Sequence, residues 1–131
     1  MARRLIARVS AQYRSITFIT SIAASHVSTD RSPYCVSKAG LSMVAKLYAD
    51  RLGAHGIAVH EVRPGFIRTE MTGSAPVGKI DDYIASGAVA QRRWGESADI
   101  GAVVTSWASA ALRYLTGHPL DVDGGYHIPT A

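Results

Sequence analysis

Two hydrophobic periodicities alternate along this chain of 131 residues. Ser15-Ile16-Thr17-Phe18-Ile19 is short, β-branched and aromatic, which suits a buried strand with Thr20 and Ser21 at its carboxyl end. From Ser32 the period lengthens. Ser32 suits an N-cap and Pro33 the first helical position, where a missing N–H costs nothing. Leu41, Ala45, Tyr48 and Leu52 then recur four and three apart until Gly53 supplies a stop. Ile57 to Val62 reads as a second strand leading into Pro64-Gly65, where the proline is expected to stop regular pairing. Met71 to Gly95 is rich in Gly, Ser, Ala and Pro around a short helical pattern at Lys79 to Ala85. A last helical stripe, Ile100, Val103, Val104, Trp107, Ala108 and Ala111, is capped by Ser97 and precedes a short strand at Leu120-Asp121-Val122.

Composition adds bounds to this pattern. With 47% hydrophobic and 18% charged residues the chain is globular, one domain by length, and able to bury about two-thirds of its unfolded surface. No run of 18 apolar residues occurs, so no membrane partner is expected. The single cysteine, Cys35, excludes an intramolecular disulfide and fits a cytoplasmic location. The five histidines have neither mutual i, i+4 spacing nor cysteine partners, which argues against a structural metal.

The net charge of +4 comes mostly from dispersed residues. Arg3, Arg4, Arg8 and Arg14 precede the first acidic residue, Asp30, and read either as a targeting peptide or, more plainly, as an amphipathic helix tail with Leu5, Ile6 and Val9 facing a core. Arg92-Arg93 could dock an acidic carrier or a substrate phosphate, or stand as a solvated loop. A basic face with interleaved aromatics is lacking, so nucleic acid is not an expected partner.

The chemistry concentrates in Ser21, Tyr34 and Lys38. Tyr34 and Lys38 lie four apart, so on a helix both project from one face, and a cation beside a phenol favours the phenolate. A hydroxyl, a phenol and an ammonium placed together can polarise a carbonyl and exchange a proton with its oxygen. Each residue also has a plainer reading. Ser21 suits a turn at a strand end, Tyr34 and Lys38 the start of an amphipathic helix, Pro64-Gly65 an ordinary turn and Thr69 an N-cap.

Ile19-Thr20-Ser21-Ile22-Ala23-Ala24, followed after thirteen positions by Tyr34-x-x-x-Lys38-Ala39-Gly40, resembles the short-chain dehydrogenase/reductase family. Pro64-Gly65-Phe66-Ile67-Arg68-Thr69 resembles its Pro-Gly-x-x-x-Thr segment. Arg93-Trp94-Gly95-Glu96 with Asp99-Ile100 resembles its late substrate-side region, and Asp121-Val122-Asp123-Gly124-Gly125 its C-terminal strand. The nearest likeness is to members assigned as 3-oxoacyl-[acyl-carrier-protein] reductases. The fold implied is α/β, the C-terminal half of a Rossmann-like doubly wound parallel sheet. The N-terminal dinucleotide-binding half is expected to be missing, leaving residues 1–131 as a single partial domain. No glycine-rich turn follows an early strand here, and His60 stands where the family usually has asparagine before its Pro-Gly turn.

The resemblance implies an NAD(P)-dependent oxidoreductase interconverting a carbonyl and an alcohol. Ser21 would hydrogen-bond the substrate carbonyl, Tyr34 exchange its proton, and Lys38 steady Tyr34 while contacting the nicotinamide ribose. Pro64 and Gly65 would let the backbone approach the ring, and Ile67 and Thr69 would meet its carboxamide. The cofactor is NAD or NADP, with the residue that would choose between them absent. Met71 to Gly95 would form a mobile substrate lid. A homo-oligomer or a complementing chain is the expected macromolecular partner, and the chain alone is expected to function poorly without the pyrophosphate turn. The alternative is a non-catalytic association module that pairs with a full-length relative through the Ser32 to Gly53 helix and the last strand.

Overall fold

The computed structural model describes residues 13–73, 77–109 and 112–128. Arg3, Arg4, Leu5, Ile6, Arg8, Val9 and Ala111, on which expectations fell, lie outside the described residues. Strands β1 (Arg14–Ile19), β2 (Ile57–Pro64) and β3 (Pro119–Val122) form a parallel sheet in the order β1-β2-β3. Arg14 pairs with Ile57 and Ile19 with Val62, while Glu61 pairs with Pro119 and Pro64 with Val122. Parallel neighbours need crossovers. Helix α1 (Ser32–Gly53) supplies the first. The second runs through α2 (Glu70–Gly73), α3 (Val77–Tyr83), a π-type turn at Ile84–Ala88 and α4 (Ser97–Ala108).

Successive side chains of a strand point to opposite faces, and in β2 both faces are buried. Ile57 and Val59 pack against Ala45, Ala49 and Leu52 of α1, with Ile16, Phe18 and Tyr48 around them. His60, the next residue, stacks on Trp107 of α4 with ring centres 4.7 Å apart. The two helices therefore cover opposite faces, as in a doubly wound sheet. A second cluster, Ile84, Val89 and Trp94 with Phe66, Ile80 and Tyr126, lies beyond the carboxyl ends of the strands.

The element order matches the sequence pattern, and the differences have local causes. Arg31, not Ser32, occupies the N-cap of α1, and Ser32 donates its hydroxyl proton to the Thr29 carbonyl at 2.8 Å. The helix ends at Gly53 as expected, but the left-handed residue that turns the chain into β2 is Gly56, at φ 64°. Pro64 does not end pairing. It aligns with Val122, and the N–H of Gly65 carries the ladder on to the Val122 carbonyl at 3.1 Å. The short helix expected at Lys79 to Ala85 begins at Val77 and gives way to the π-type turn after Tyr83. Glu96, not Ser97, caps α4, through a reciprocal box in which the Asp99 carboxylate accepts the Glu96 N–H at 2.8 Å. In the α4 stripe Trp107 is buried, Ile100, Val103 and Val104 are half-buried, and Ala108 is exposed.

Candidate functional site

Ser21 follows β1 in extended backbone, at φ −175°, and caps the 3₁₀ turn Ile22–Ala24, its Oγ accepting the Ala23 N–H at 3.1 Å. Its neighbour Thr20 donates its N–H to the Val62 carbonyl at 2.9 Å, which keeps the strand paired to its last residue. The loop then returns to α1, where the Cys35 thiol lies 3.8 Å from the carbonyl oxygens of both His26 and Ser28. The Ser21 turn is thus fastened to the first turn of α1, which carries Tyr34. Lys38 stands on the same face, its Nζ 5.5 Å from the centre of the Tyr34 ring, and the Arg31 guanidinium approaches that ring at 5.8 Å. Tyr34 is 40% exposed, outside the packed core. No hydrogen bond joins the Ser21, Tyr34 and Lys38 side chains directly.

The Pro64 to Thr69 segment leaves β2 at the same end of the sheet. Gly65 is required by close approach, because a Cβ there would sit 2.7 Å from the Cα and Cβ of Asp123. Ile67 forms a parallel bridge with Gly95, in which Gly95 donates to the Phe66 carbonyl at 2.8 Å and Arg68 donates to the Gly95 carbonyl at 2.9 Å. In such a bridge the flanking residues make the bonds, so the N–H of Ile67 is aimed away from Gly95. Thr69 precedes α2 and its hydroxyl accepts the Thr72 N–H at 3.3 Å, the helix-capping role that sequence alone left open.

Thr20, Ser42, Glu61 and Arg63 meet in a cluster that the sequence does not announce. The carboxylate of Glu61 accepts from Thr20 Oγ1 at 2.7 Å, from Ser42 Oγ at 2.9 Å and from Arg63 Nε at 2.8 Å. Burial pushes the Glu61 carboxyl up, but the three hydrogen bonds and the Arg63 charge outweigh it and hold the group below its ordinary range. The available signal was two opposite charges, Glu61 and Arg63, in a strand whose other positions are largely apolar.

A cavity of about 300 Å³ lies between the Phe66-Ile67 segment, Arg93 and the turn after β3, lined also by Asp121, Asp123 and His127. Asp123 organises that turn by accepting from the N–H groups of Gly125 at 2.9 Å and His127 at 2.8 Å. Arg93 already has an acidic partner within the chain. It holds Asp99 in a two-pronged pair at 2.8 and 3.1 Å, which brings the Asp99 carboxyl down to about 2. Among the described residues no group of three His, Cys, Asp or Glu side chains could hold a metal ion. No helix among them is long and apolar enough to cross a membrane.

The parallel α/β sheet thus has the Ser21 turn and Pro64-Gly65 at the carboxyl ends of β1 and β2, with Tyr34 and Lys38 on the first two turns of α1. The profile of the family described as enoyl-(acyl carrier protein) reductase matches residues 1–127, and the chain belongs to the short-chain dehydrogenase/reductase family. It is 35% identical over 114 residues to the (3R)-3-hydroxyacyl-CoA dehydrogenase of Canis lupus familiaris, covering 87% of this chain and 43% of that protein. It is 32% identical over 114 residues to a 3-oxoacyl-[acyl-carrier-protein] reductase of Staphylococcus epidermidis, covering 87% and 46%. The crystal structure of a 3-oxoacyl-[acyl-carrier protein] reductase from Brucella melitensis in complex with NAD superposes with a TM-score of 0.92 at 39% identity, over 98% of this chain and 50% of that one. The chain spans about half the length of the relatives it matches.

Proposed function

We propose that this chain carries the substrate and nicotinamide side of a reductase that interconverts a 3-oxoacyl thioester and its 3-hydroxy form. The observation that carries this reading is the Lys38 ammonium 5.5 Å from the Tyr34 ring, beside the Ser21 turn at the carboxyl end of a parallel sheet. Ser21 donates a hydrogen bond to the substrate carbonyl oxygen, Tyr34 delivers its phenolic proton to that oxygen, and Lys38 favours the phenolate left behind. The residues present fit a nicotinamide. The N–H of Ile67 is directed away from Gly95, Pro64 and Gly65 bring the backbone close, and Thr69 lies on the same segment. When bound, NADH or NADPH supplies the hydride. The names of the relatives support the acyl thioester as substrate class. These 131 residues contain no glycine-rich pyrophosphate turn, so the cofactor is expected to bind them weakly.

The outer face of α1 supports self-association, because Val36, Met43 and Leu47 are 73%, 54% and 61% exposed there. An association module without catalysis is the second reading, and cofactor binding separates the two. Titration of the chain with NADH and NADPH, followed by cofactor fluorescence, is expected to saturate and to weaken with Lys38→Ala. Reduction of acetoacetyl-CoA is expected to be slow and to disappear with Tyr34→Phe. A folded chain that shows no cofactor binding at millimolar concentration would assign it to the association role.

A further inference from the structure

Glu61 is a buried carboxylate, 2% exposed, in the strand between the Ser21 turn and Pro64-Gly65. An acid there is costly to desolvate unless its lone pairs are taken up. Each group that takes them up comes from a different part of the site. Thr20, at 2.7 Å, is the residue before Ser21. Ser42, at 2.9 Å, lies one helical turn beyond Lys38 on α1. Arg63, at 2.8 Å, is the residue before Pro64. The cluster closes on itself, because Arg63 Nη2 donates to Ser42 Oγ at 2.8 Å while that hydroxyl gives its proton to Glu61.

The backbone ladder sets β1 against β2, but the packing of α1 on β2 is apolar and non-directional, which leaves shifts of the helix along the sheet inexpensive. A carboxylate bound by three donors of fixed direction does not. We propose that Glu61, through Thr20, Ser42 and Arg63, is the positioning residue that sets Ser21, Tyr34 with Lys38, and Pro64-Gly65 relative to one another. The inference rests on the assignment of those residues to the reaction given above. It is distinct from a role in stability, because a buried ion pair exchanged for apolar residues of similar volume often leaves stability unchanged or raised.

That difference makes the test. In Glu61→Met/Arg63→Met no buried polar group is stranded, since the Thr20 hydroxyl already lies 3.2 Å from the Val62 carbonyl and Ser42 can turn to its own helix. The variant is expected to keep its thermal midpoint while the Tyr34 resonance of 3-fluorotyrosine-labelled protein, assigned with Tyr34→Phe, shifts and broadens. Its kcat for acetoacetyl-CoA should fall on the order of 10²-fold, the loss that a misplacement of about 1 Å brings. An unchanged Tyr34 resonance in the folded double variant would overturn the proposal. Ser42→Ala removes the helix tether alone and should move the same resonance, and no movement there overturns it even where the double variant fails to fold. A parent chain without any turnover defeats the assignment of the reaction, and the Tyr34 resonance still decides the role of Glu61.

Discussion

His60 shows how much a single position can carry without entering the chemistry. Its ring is buried on Trp107, its Nε2 is 2.9 Å from the Tyr13 hydroxyl, and its Nδ1 has no partner among the described residues. Burial holds its pKa below the ordinary 6.5. The unfolded chain therefore takes up a proton before the folded one does. The stabilising contribution is complete above 6.5 and is lost as pH falls from there toward the folded value, at no more than about 1.4 kcal/mol per pH unit. The urea midpoint is expected to drop between about pH 7.5 and 5.5, and His60→Phe, which keeps the stack and cannot titrate, should flatten that drop. An equal slope in the variant would place the effect elsewhere. Glu61 acts lower on the scale and in the same direction, since its depressed pKa contributes stability above the ordinary 4.5 that disappears on further acidification. In the sequence His60 reads as structural because it has no partner at ligand spacing. Glu61 escapes that kind of reading, because its meaning depends on Ser42 and Thr20, which lie 19 and 41 residues away.

At the scale of elements, the seams between β2 and its neighbours carry the site. Leu52 has no exposure and plugs the seam between α1 and β2, so Leu52→Ala should cost about 2–5 kcal/mol in urea unfolding. Gly65→Ala forces a Cβ to within 2.7 Å of the Asp123 backbone, which cannot yield as a flexible side chain would. It is expected to lower stability by about 1–3 kcal/mol and to weaken cofactor binding, read by the same fluorescence titration. The strands and helices themselves are legible, because each buries a face whose period shows in residues such as Leu41, Ala45, Tyr48 and Leu52. Helix starts are less so. Ser32 and Ser97 have the right chemistry for caps, yet the 3₁₀ turn Thr29–Arg31 diverts the first, and the three-residue reach between Glu96 and Asp99 takes the second. The Ser21, Tyr34 and Lys38 pattern is visible because two of its members share a helix. The Glu61 cluster and the Asp123 turn are not, because they depend on which strand lies beside which.

At the scale of the whole molecule, the sheet has α1 on one face and α4 on the other, and α1 also exposes apolar side chains on its outside. Val36, Met43, Val44 and Leu47 recur there at spacings of seven, one and three, with Gly40 between them. Their period is helical, yet none belongs to the stripe that faces β2, so the helix is apolar on two sides. A helix of this kind inside a domain is covered by a second element, and no described element of this chain covers it. A second copy presenting the same face across a twofold axis would bury both, and the backbone at Gly40 permits close approach. Glutamate at Met43 and Leu47 would place four like charges in that seam, two from each copy. Sedimentation velocity over a concentration series should show the parent chain self-associating and Met43→Glu/Leu47→Glu sedimenting as a monomer, with the circular dichroism of both unchanged. Association that persists in the double variant would move the contact to the edge of β1 or to β3, where Leu120 is 41% exposed. Because the same helix carries Tyr34 and Lys38 on its first two turns, its clamping by a second copy should also sharpen the Tyr34 resonance as concentration rises.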